Sequence, residues 1–227
     1  MINYPLDYIK NHILGTKVKE EEWAKRNDKH NDWGKEEKDW IQSYWDSRNH
    51  PHRSFLIEKI TKFSPSSILE IGCNCGPNLY LLSKKFPTAR IVGIDINPLA
   101  IQRGNEWLVK EEISNVNLLL GKADEFKKLK KFDIVFTDAV LIYIGRDKIK
   151  KVLKEMISAA TKAIILVEWH SPESDWRGNY YRGCWKRDYT SLLAQFKLDV
   201  RITKLSKNIW PDKNWMGVGA IIEIIKK

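Results

Sequence analysis

The chain has few cysteines, and their number and spacing exclude two kinds of protein. It has three cysteines in 227 residues, an odd count without the regular spacing of a disulfide framework. Cys73 and Cys75 flank a single residue, which is too strained a spacing for an ordinary disulfide. A zinc site would need a second ligand pair, and Cys184 supplies none at a usual spacing. We therefore predict neither a disulfide scaffold nor a metal or redox site.

Long apolar runs are also missing from the sequence. No stretch approaches the roughly 20 apolar residues of a transmembrane helix, and the first ten residues have no apolar core typical of a secretory signal. We therefore expect a cytoplasmic protein without a membrane span. Hydrophobic residues make up 43% and charged residues 30%, which is the composition of a globular domain.

Positive charge is in excess, but it is spread along the chain. The formal net charge is +10, and the only dense basic cluster is "KKLKK" at residues 127–131, which precedes an apparent strand and favours an exposed turn. No helix carries a continuous basic stripe, and no RNA-binding motif is present. A nucleic-acid partner is therefore not favoured, although the charge alone leaves RNA open.

From Ser67 onward, predicted strands alternate with predicted helices. Apolar runs indicate strands at "SILEI", "ARIVGIDI", "VNLLLG", "FDIVFTD" and "KAIILVEWH". Such alternation gives βαβ units and a parallel sheet. Strands around "DVRITKLS" and "WMGVGAIIEII" close the chain and indicate an antiparallel edge. The predicted fold class is α/β, with a Rossmann-like, doubly wound, mainly parallel seven-stranded sheet and an antiparallel edge strand.

The region before Ser67 has a different pattern. Helical segments are predicted around "EEEWAKRNDKH", "KEEKDWIQSYWDSR" and "HRSFLIEKITKF", and the region carries four of the ten tryptophans. No repeat or low-complexity linker separates them from the rest. We predict that residues 1–64 form an N-terminal helical extension over the cleft and that residues 65–227 form the main domain. The sequence leaves the oligomeric state open.

Three signals follow three successive strands. The loop "GCNCG" lies between a strand and a helix, where glycines let the backbone approach a ligand and the helix N-terminus offers free N–H groups. It matches neither the dinucleotide fingerprint nor a phosphate-binding P-loop. Asp95 ends the second strand, where a carboxylate accepts both hydroxyls of a ribose. Ala123 and Asp124 follow the third strand, where a backbone N–H and a carboxylate can bind adenine.

Together these motifs resemble those of the class I S-adenosylmethionine-dependent methyltransferases. "ILEIGCNCGPNL" resembles their glycine-rich first motif, "IVGIDIN" their acidic second motif, "GKADEF" their adenine loop, and "FDIVFTDAVLIYI" their fourth-strand motif. The resemblance implies S-adenosyl-L-methionine as cofactor, with the cysteines as spacers in its loop. The residues it implies for cofactor binding in these motifs are Glu70, Gly72, Cys73, Asn74, Gly76, Asn78, Asp95, Ile96, Ala123 and Asp124.

A narrower resemblance is to the methylases associated with pseudaminic acid biosynthesis, bacterial enzymes that modify nonulosonic-type sugars. The chain shares their Asn at positions 74 and 78, an aromatic-x-x-Arg-Asn at residues 45–49, and "YRGCWKRDY" at residues 181–189. It departs from them at Tyr143, where they usually have His, and at Trp169–His170, where they have an aromatic pair. These departures lie near the substrate side, so substrate identity does not carry over with the resemblance.

Methyl transfer needs few catalytic groups, because the protein positions the nucleophile and removes its proton where necessary. His170, at the end of the fifth strand, is the first candidate, with a purely structural histidine as the alternative. Tyr143 could bond the nucleophile or form a wall of the cofactor pocket. Asp138, at the end of the fourth strand, is predicted beside the methionine ammonium, and a strand-end cap is its alternative.

Two further groups of residues are candidates for binding. Tyr44 and Arg48 are predicted on one helix face, with Arg48 bound to the cofactor's carboxylate or else a solvated surface arginine. An aromatic and basic cluster follows the fifth strand and suits an anionic acceptor, with a basic lid as the alternative. Its members are Tyr181, Arg182, Lys186 and Arg187.

Three classes of function stay open. The favoured one is a methyltransferase that acts on a small molecule or a sugar or glycan precursor, including an acidic nonulosonic-type sugar. An RNA methyltransferase is supported by charge but lacks an added RNA-binding module. A non-catalytic S-adenosylmethionine-binding protein is the third. Salt-dependent RNA binding would favour the second class, and cofactor binding without turnover the third.

Overall fold

A seven-stranded sheet with strand order β3–β2–β1–β4–β5–β9–β8 organises the molecule. The computed structural model describes residues 15–27, 39–126 and 129–226. The strands of this sheet are β1 Ser67–Ile71, β2 Arg90–Asp95, β3 Val116–Leu120, β4 Phe132–Asp138, β5 Ala160–Trp169, β8 Asp199–Lys204 and β9 Gly219–Ile225. Strands β1 to β5 are parallel, and β9 runs antiparallel between β5 and β8. The predicted fold class is confirmed.

Helices cover both faces of this sheet. Their bounds are α1 Thr16–Lys25, α2 Trp40–Asp46, α3 Pro51–Thr61, α4 Pro77–Lys85, α5 Pro98–Lys110, α6 Ile149–Ala159 and α7 Tyr189–Leu193. Proline opens α3, α4 and α5, where its fixed φ suits the first turn and no N–H is lost. Short 3₁₀ turns lie at Ser47–Asn49, Leu141–Tyr143 and Ala194–Phe196. None of the helices in the described ranges is long and apolar enough to cross a bilayer.

Alternating side chains of the strands divide the core between the two faces. On one face Ile68 and Ile134 pack with the apolar residues of α2 to α5. On the other face Leu69 and Val135 pack with those of α6 and α7. Because both faces are covered, the inner strands are apolar almost throughout, which is why they appear in the sequence as continuous apolar runs.

The register of the inner strands brings their carboxyl ends to one level. Ile71 of β1 pairs with Ile94 of β2 and with Thr137 of β4. The chain moves outward from β1 in both directions, to β2 and β3 on one side and to β4 and β5 on the other. Ligands of doubly wound folds bind in the crevice at this switch of direction, at the carboxyl ends of the strands.

One region differs from the sequence prediction, and parts of the predicted N-terminal region lie outside the described residues. The stretch after β5, for which the sequence analysis gives no strand, contains a separate antiparallel hairpin of β6 Asn179–Tyr181 and β7 Cys184–Lys186. Its strands are three residues each, too short for a periodic signal. Residues 1–14 and 28–38, with Trp33 and parts of the predicted N-terminal helices, lie outside the described residues, as do Lys127 and Lys128 of the basic cluster.

Candidate functional site

The loop after β1 is held close to its neighbours by backbone contacts. The N–H groups of Gly72 and Cys73 both donate to the carbonyl of Ile94 at the end of β2. Gly72 has φ 75°, and a Cβ there would lie 2.3 Å from a methyl group of Val140. Both the left-handed backbone and the close approach therefore require glycine at this position. The loop ends at Gly76, directly before α4.

The cysteines of this loop pack inward. All three cysteines of the chain are free and buried, and burial raises the pKa of the Cys73 and Cys75 thiols well above the ordinary value. The carbonyl of Cys75 lies where a Cβ on Gly104 of α5 would come within 2.6 Å. Among the residues that the structure describes, no group of three or more His, Cys, Asp or Glu side chains could hold a metal ion.

Asp95, the last residue of β2, lies beside the glycine loop. Its Oδ2 accepts from the backbone N–H of Asn74 and its Oδ1 from that of Asn97, each at 2.8 Å. Burial raises the pKa of this carboxyl, and the backbone donors oppose the rise. Each carboxylate oxygen has a second lone pair for a further hydrogen bond. Asp95 therefore both ties the glycine loop to β2 and lines the cleft.

Asp138 is the centre of a buried polar cluster at the end of β4. Its Oδ2 accepts from His52 Nε2 at 2.9 Å, Asn78 Nδ2 at 3.0 Å and Arg53 Nη1 at 3.3 Å. Burial alone would raise its pKa, but His52, Arg53 and Asn78 together hold that pKa well below its usual range. Its Oδ1 is buried and accepts no hydrogen bond from the described residues. A buried carboxylate oxygen in that state favours a cationic N–H donor from a ligand.

Asn78 links this cluster to a second buried acid. Its Nδ2 donates to Glu70 Oε1 at 2.7 Å, and its Oδ1 accepts from Arg53 Nη1 at 2.7 Å. Burial raises the pKa of Glu70 to about 8. Glu70 and Asn78 therefore support the wall from behind, and the carboxylates of the sheet that line the cleft are those of Asp95 and Asp138.

These elements enclose one cleft at the carboxyl ends of β1 to β4. It contains about 740 Å³ of empty space, part of which is open to solvent. The predicted residues that the structure brings to its wall are Tyr44, Gly72, Asn74, Asp95, Ile96, Ala123, Asp138 and Tyr143. Glu70, Cys73, Gly76 and Asn78 lie behind that wall.

Helix α1 forms a wall of the cleft, and none of its residues was among the predicted site residues. Thr16, Lys19, Glu20 and Trp23 line the cleft. The Trp23 ring lies edge-on to Tyr143 with ring centroids 5.2 Å apart. The start of α1 is fastened by Thr16, whose Oγ1 donates to Asp147 at 2.8 Å.

Arg48 and Asp124 are placed away from the cleft wall. Helix α2 ends at Asp46, so the expected shared helix face of Tyr44 and Arg48 is wrong. The Arg48 guanidinium stacks on Trp45, 4.2 Å from the ring centroid. Asp124 is buried, and its carboxylate pairs with Lys148 at 2.8 Å and with Lys151 at 2.6 Å. These two lysines therefore pair with the carboxylate that was predicted to bind adenine.

His170 and Arg187 also have structural partners instead of cleft positions. His170 Nδ1 accepts from the Tyr189 N–H at 3.3 Å, and burial lowers its pKa. Arg187 is fully buried and donates to the carbonyls of Leu141, at 3.0 Å, and Ile144. Arg187 therefore supports the loop that carries Tyr143, and its guanidinium is not on an acceptor surface.

The rest of the predicted acceptor cluster lies on the hairpin. Tyr181 is 55% exposed, and Lys186 is half-buried. Arg182 is exposed and donates to Asn214 Oδ1 at 3.0 Å, which joins the hairpin to the segment before β9. Their role in binding an acceptor stays a prediction.

Sequence reasoning missed two functional neighbours of the cleft. Glu168 of β5 accepts from the N–H groups of Val140, Leu141 and Ile142 at 3.0 to 3.2 Å, which fixes the loop after β4. An acid inside the apolar run "AIILVEW" was the available signal, because a buried carboxylate requires donors. The other omission is His52 with Arg53, for which the dense polar stretch "NHPHR" before α3 was the signal.

Comparison with known proteins assigns the chain to a family. A family model described as "Methyltransferase domain" matches residues 62–208, more than half of the chain. The chain is 30% identical over 78 residues to malonyl-[acyl-carrier protein] O-methyltransferase 1 of Ilyobacter polytropus, covering 34% of this chain and 28% of that protein. It is 24% identical over 127 residues to trans-aconitate 2-methyltransferase of Rhodopseudomonas palustris, covering 56% and 45%. The chain spans less than half the length of these curated relatives.

Solved structures share the fold over nearly the whole chain. The plantazolicin methyltransferase BpumL, in complex with a triazolic desmethylPZN analog and SAH, aligns with a TM-score of 0.61 at 17% identity and covers 96% of this chain and 100% of its own. Magnesium protoporphyrin IX methyltransferase (ChlM) of Synechocystis PCC 6803, with bound SAM, aligns with a TM-score of 0.60 at 12% identity, covering 97% and 96%. At these identities the likeness shows the fold. With the family match, the conclusion is that this chain belongs to the methyltransferase domain family.

Proposed function

We propose that this chain is an S-adenosylmethionine-dependent methyltransferase that acts on a small-molecule acceptor. The observation that carries the proposal is the convergence of the glycine loop, Asp95, Ala123 and Asp138 on one cleft. These four elements lie at the carboxyl ends of successive parallel strands, the edge where doubly wound folds bind their ligands. Family membership supports the same activity.

The cleft residues fit the cofactor part by part. Asp95 is suited to the ribose hydroxyls, because each of its oxygens has a lone pair beyond its backbone donor. Ile96 and Ala123 offer apolar surface and backbone for adenine. The buried Oδ1 of Asp138, without a donor among the described side chains, fits the methionine ammonium. When bound, the cofactor supplies an electrophilic methyl group.

Arg26 is our candidate for the cofactor's carboxylate in place of Arg48. Its guanidinium lies over the Trp23 ring, 4.3 Å from the centroid, and 5.0 Å from that of Trp40. Trp23 is itself a wall of the cleft, and the charge of Arg26 interacts with Tyr44 and Tyr143 on the same wall. A guanidinium is the group best shaped to bind a carboxylate through paired hydrogen bonds.

We propose the acceptor first as a broad chemical class and then as a narrower one. The names of two curated relatives, malonyl-[acyl-carrier protein] and trans-aconitate methyltransferases, support a small-molecule or carrier-bound acceptor. The resemblance to pseudaminic acid-associated methylases supports an acidic sugar as the finer choice. Tyr181, Arg182 and Lys186 supply an aromatic and basic surface for such an acid. An RNA acceptor is less favoured because the positive charge is diffuse.

Calorimetry with S-adenosylmethionine, followed by transfer of a labelled methyl group, tests the proposal. We expect the wild-type chain to bind the cofactor and to label a member of a panel of sugars, amino sugars and organic acids. Labelling of RNA alone would favour the nucleic-acid function. Cofactor binding without labelling of any small molecule or RNA would favour a non-catalytic binding protein. Absence of cofactor binding would contradict the proposal.

A further inference from the structure

The loop of residues 139–144 forms one wall of the cleft directly after β4. Ala139, Val140, Tyr143 and Ile144 all line the cleft. Ala139 has φ 59°, a left-handed conformation that alanine rarely adopts. Such a backbone persists only where the surrounding structure fixes it. The groups that hold this loop therefore also set the shape of the cleft.

Glu168 of β5 holds the N–H groups of this loop. The residue is fully buried. Its Oε1 accepts from the N–H groups of Val140, at 3.2 Å, and Leu141, at 3.0 Å. Its Oε2 accepts from the Ile142 N–H at 3.0 Å, and the Thr137 hydroxyl donates to Oε1 at 2.8 Å. Three of the four partners are backbone N–H groups, which can only donate, so the site fits an ionised carboxylate, which only accepts.

Arg187 holds the carbonyl groups of the same loop. Its guanidinium donates to the carbonyls of Leu141, at 3.0 Å, and Ile144. Burial lowers the pKa of Arg187 to about 10, while the charge of Glu168 acts in the opposite direction, so the guanidinium is cationic at neutral pH. The loop thus lies between a buried anion and a buried cation. Loss of the negative charge would leave the buried guanidinium with less compensation.

The other ionisable neighbours of Glu168 are neutral near neutral pH. Tyr189 of α7 and Cys184 of β7 interact with its charge, and burial raises the pKa of Tyr189 well above the ordinary value and that of Cys184 to about 12. Burial lowers the pKa of His170 from its ordinary 6.5. Burial also raises the pKa of Glu168 to about 7, although the donors to its carboxylate oppose the rise. Within this cluster, Glu168 is therefore the group that titrates at neutral pH.

The loop also contacts the glycine loop of the proposed cofactor site. A Cβ on Gly72 would lie 2.3 Å from a methyl group of Val140, so the two loops approach each other closely at this point. Val140 is also one of the residues whose N–H donates to Glu168. A displacement of Val140 would therefore change the wall against which the proposed cofactor lies.

We propose that Glu168 is a positioning residue, whose ionised carboxylate fixes the loop of residues 139–144 in the conformation that binds S-adenosylmethionine. The inference rests on the proposed methyltransferase function and adds a residue behind the cleft wall. Protonation converts one acceptor oxygen into an O–H donor, which then faces N–H groups that also donate. The loop is held less firmly and can leave its strained conformation. Cofactor binding and proton release from Glu168 are therefore coupled, and each favours the other.

Backbone NMR of the chain without a ligand is the first test. The chemical shift of an N–H that donates to a carboxylate changes when that carboxylate is protonated. We expect the amide signals of Leu141 and Ile142 to follow one titration with a midpoint at about pH 7, which is absent from Glu168→Gln. Saturation with the cofactor should move the wild-type midpoint down by about one pH unit. Amide signals that do not change between about pH 6 and pH 8, or a midpoint that the cofactor does not move, would overturn the proposal.

Calorimetry with S-adenosylmethionine tests the coupling to binding. Glu168→Gln keeps the size of the side chain but cannot ionise, so it represents the protonated form. A midpoint shift of one unit corresponds to a wild-type affinity about twofold above that of the variant at about pH 6 and about tenfold above it at about pH 8. The ionisation of the cofactor and that of Glu70, whose pKa burial raises to about 8, are common to both proteins and cancel in this ratio. A ratio that is constant across this range would contradict the coupling.

Two controls separate positioning of the loop from other effects. Glu223→Gln removes another buried carboxylate of the same sheet, which pairs with Lys59 at 2.7 Å, and should keep the pH dependence of the wild type. S-adenosylhomocysteine, the product of methyl transfer, has an uncharged sulfur and cannot attract Glu168 through a sulfonium charge. We expect the same change of the affinity ratio with both ligands. A change with S-adenosylmethionine alone would indicate direct charge attraction and overturn the positioning role.

These measurements distinguish the positioning role from the proposed function. A wild-type chain that binds neither ligand at any pH contradicts the methyltransferase function, and the coupling fails with it. A chain that binds both ligands, with an affinity ratio that does not change with pH, contradicts the positioning role alone. If Glu168→Gln does not fold, the shift of the wild-type NMR midpoint on cofactor binding decides.

Discussion

The two sides of the cleft are built in different ways. On the proposed cofactor side, the contacts join residues that follow three successive strands, such as Asn74 to Asp95, and many of them are made by backbone. Around Asp138, at the end of β4, the contacts are different, because His52, Asp138 and Trp210 come from distant parts of the chain and meet through side chains. The residues of the first side form motifs at recognisable spacings in the sequence. The residues of the second side are brought together only by the fold.

Arg53 lies where the two sides meet, and its removal should have the largest effect on the fold. It is buried and donates to Asp138, Asn78 and Ser47. Arg53→Met leaves a buried carboxylate with fewer compensating charges, so we expect the free energy of unfolding to fall by about 3–5 kcal/mol. Urea denaturation measures this loss.

The matched control for Arg53 is an arginine in an exposed ion pair. Arg201 on β8 pairs with Asp199 at 3.2 Å with both side chains exposed, and such pairs contribute at most about 1 kcal/mol. Arg201→Met should therefore change the unfolding free energy little. Equal losses in the two variants would mean that the buried cluster does not join the two sides energetically.

Asp95→Ala should have the largest effect on cofactor affinity. The variant removes a charged acceptor from the proposed ribose site, a loss of about 1.5–3 kcal/mol for such hydrogen bonds. Calorimetry should show S-adenosylmethionine binding at least about tenfold weaker, with thermal unfolding confirming that the variant is folded. Asp124→Ala is the control, because that carboxylate pairs with Lys148 and Lys151. A larger effect at Asp124 would reverse the proposed assignment.

Glu70→Gln should change how stability depends on pH. Burial raises the pKa of Glu70 from its ordinary 4.5 to about 8, so the folded chain binds more protons than the unfolded chain between those values. The stabilisation from this group is complete below pH 4.5 and is lost as pH rises to about 8. Its slope is at most about 1.4 kcal/mol per pH unit.

Thermal unfolding across this range measures the effect. Because glutamine has no proton to lose, the unfolding temperature of Glu70→Gln should fall less with rising pH than that of the wild type. Glu58→Gln, which alters an exposed carboxylate, should follow the wild type. Parallel curves for Glu70→Gln and the wild type would show that Glu70 is ionised in the folded chain.

The smallest effect is expected at Arg48. It stacks on Trp45 and Tyr80 outside the cleft wall, so Arg48→Gln should cost about 1 kcal/mol or less in stability. Cofactor affinity should stay within about threefold of wild type, whereas Arg26→Gln should weaken it by about tenfold. The opposite ranking in calorimetry would return Arg48 to the cofactor's carboxylate.

The fold was predictable because its signals are local and periodic. The apolar runs of the inner strands and the prolines that open α3, α4 and α5 each specify an element within a few residues. The methyltransferase family was predictable from three spaced motifs, and the family match confirms it at that level. The narrower resemblance to pseudaminic acid-associated methylases stays a prediction, as do the individual site roles.

Other parts of the site could not be predicted, because they depend on which side chains meet in three dimensions. Arg187 is a basic residue in a polar segment, and only the fold shows that its guanidinium is buried against the carbonyls of Leu141 and Ile144. Asp124 comes shortly after β3 and Asp95 is the last residue of β2, yet Lys148 and Lys151 from a later helical region neutralise Asp124. A strand-end position thus identifies a candidate without identifying its partner.

Asn97 joins the end of helix α1 to the loop after β2. Its side chain donates to the carbonyls of Trp23 and Arg26 at the end of α1, each at 2.8 Å, and its backbone N–H donates to Asp95. The helix that covers the cleft is thus fastened to the acid proposed to hold the ribose. We therefore expect detachment of α1 at this end to accompany cofactor exchange, and in that case the frequency of the opening sets an upper limit on the catalytic cycle.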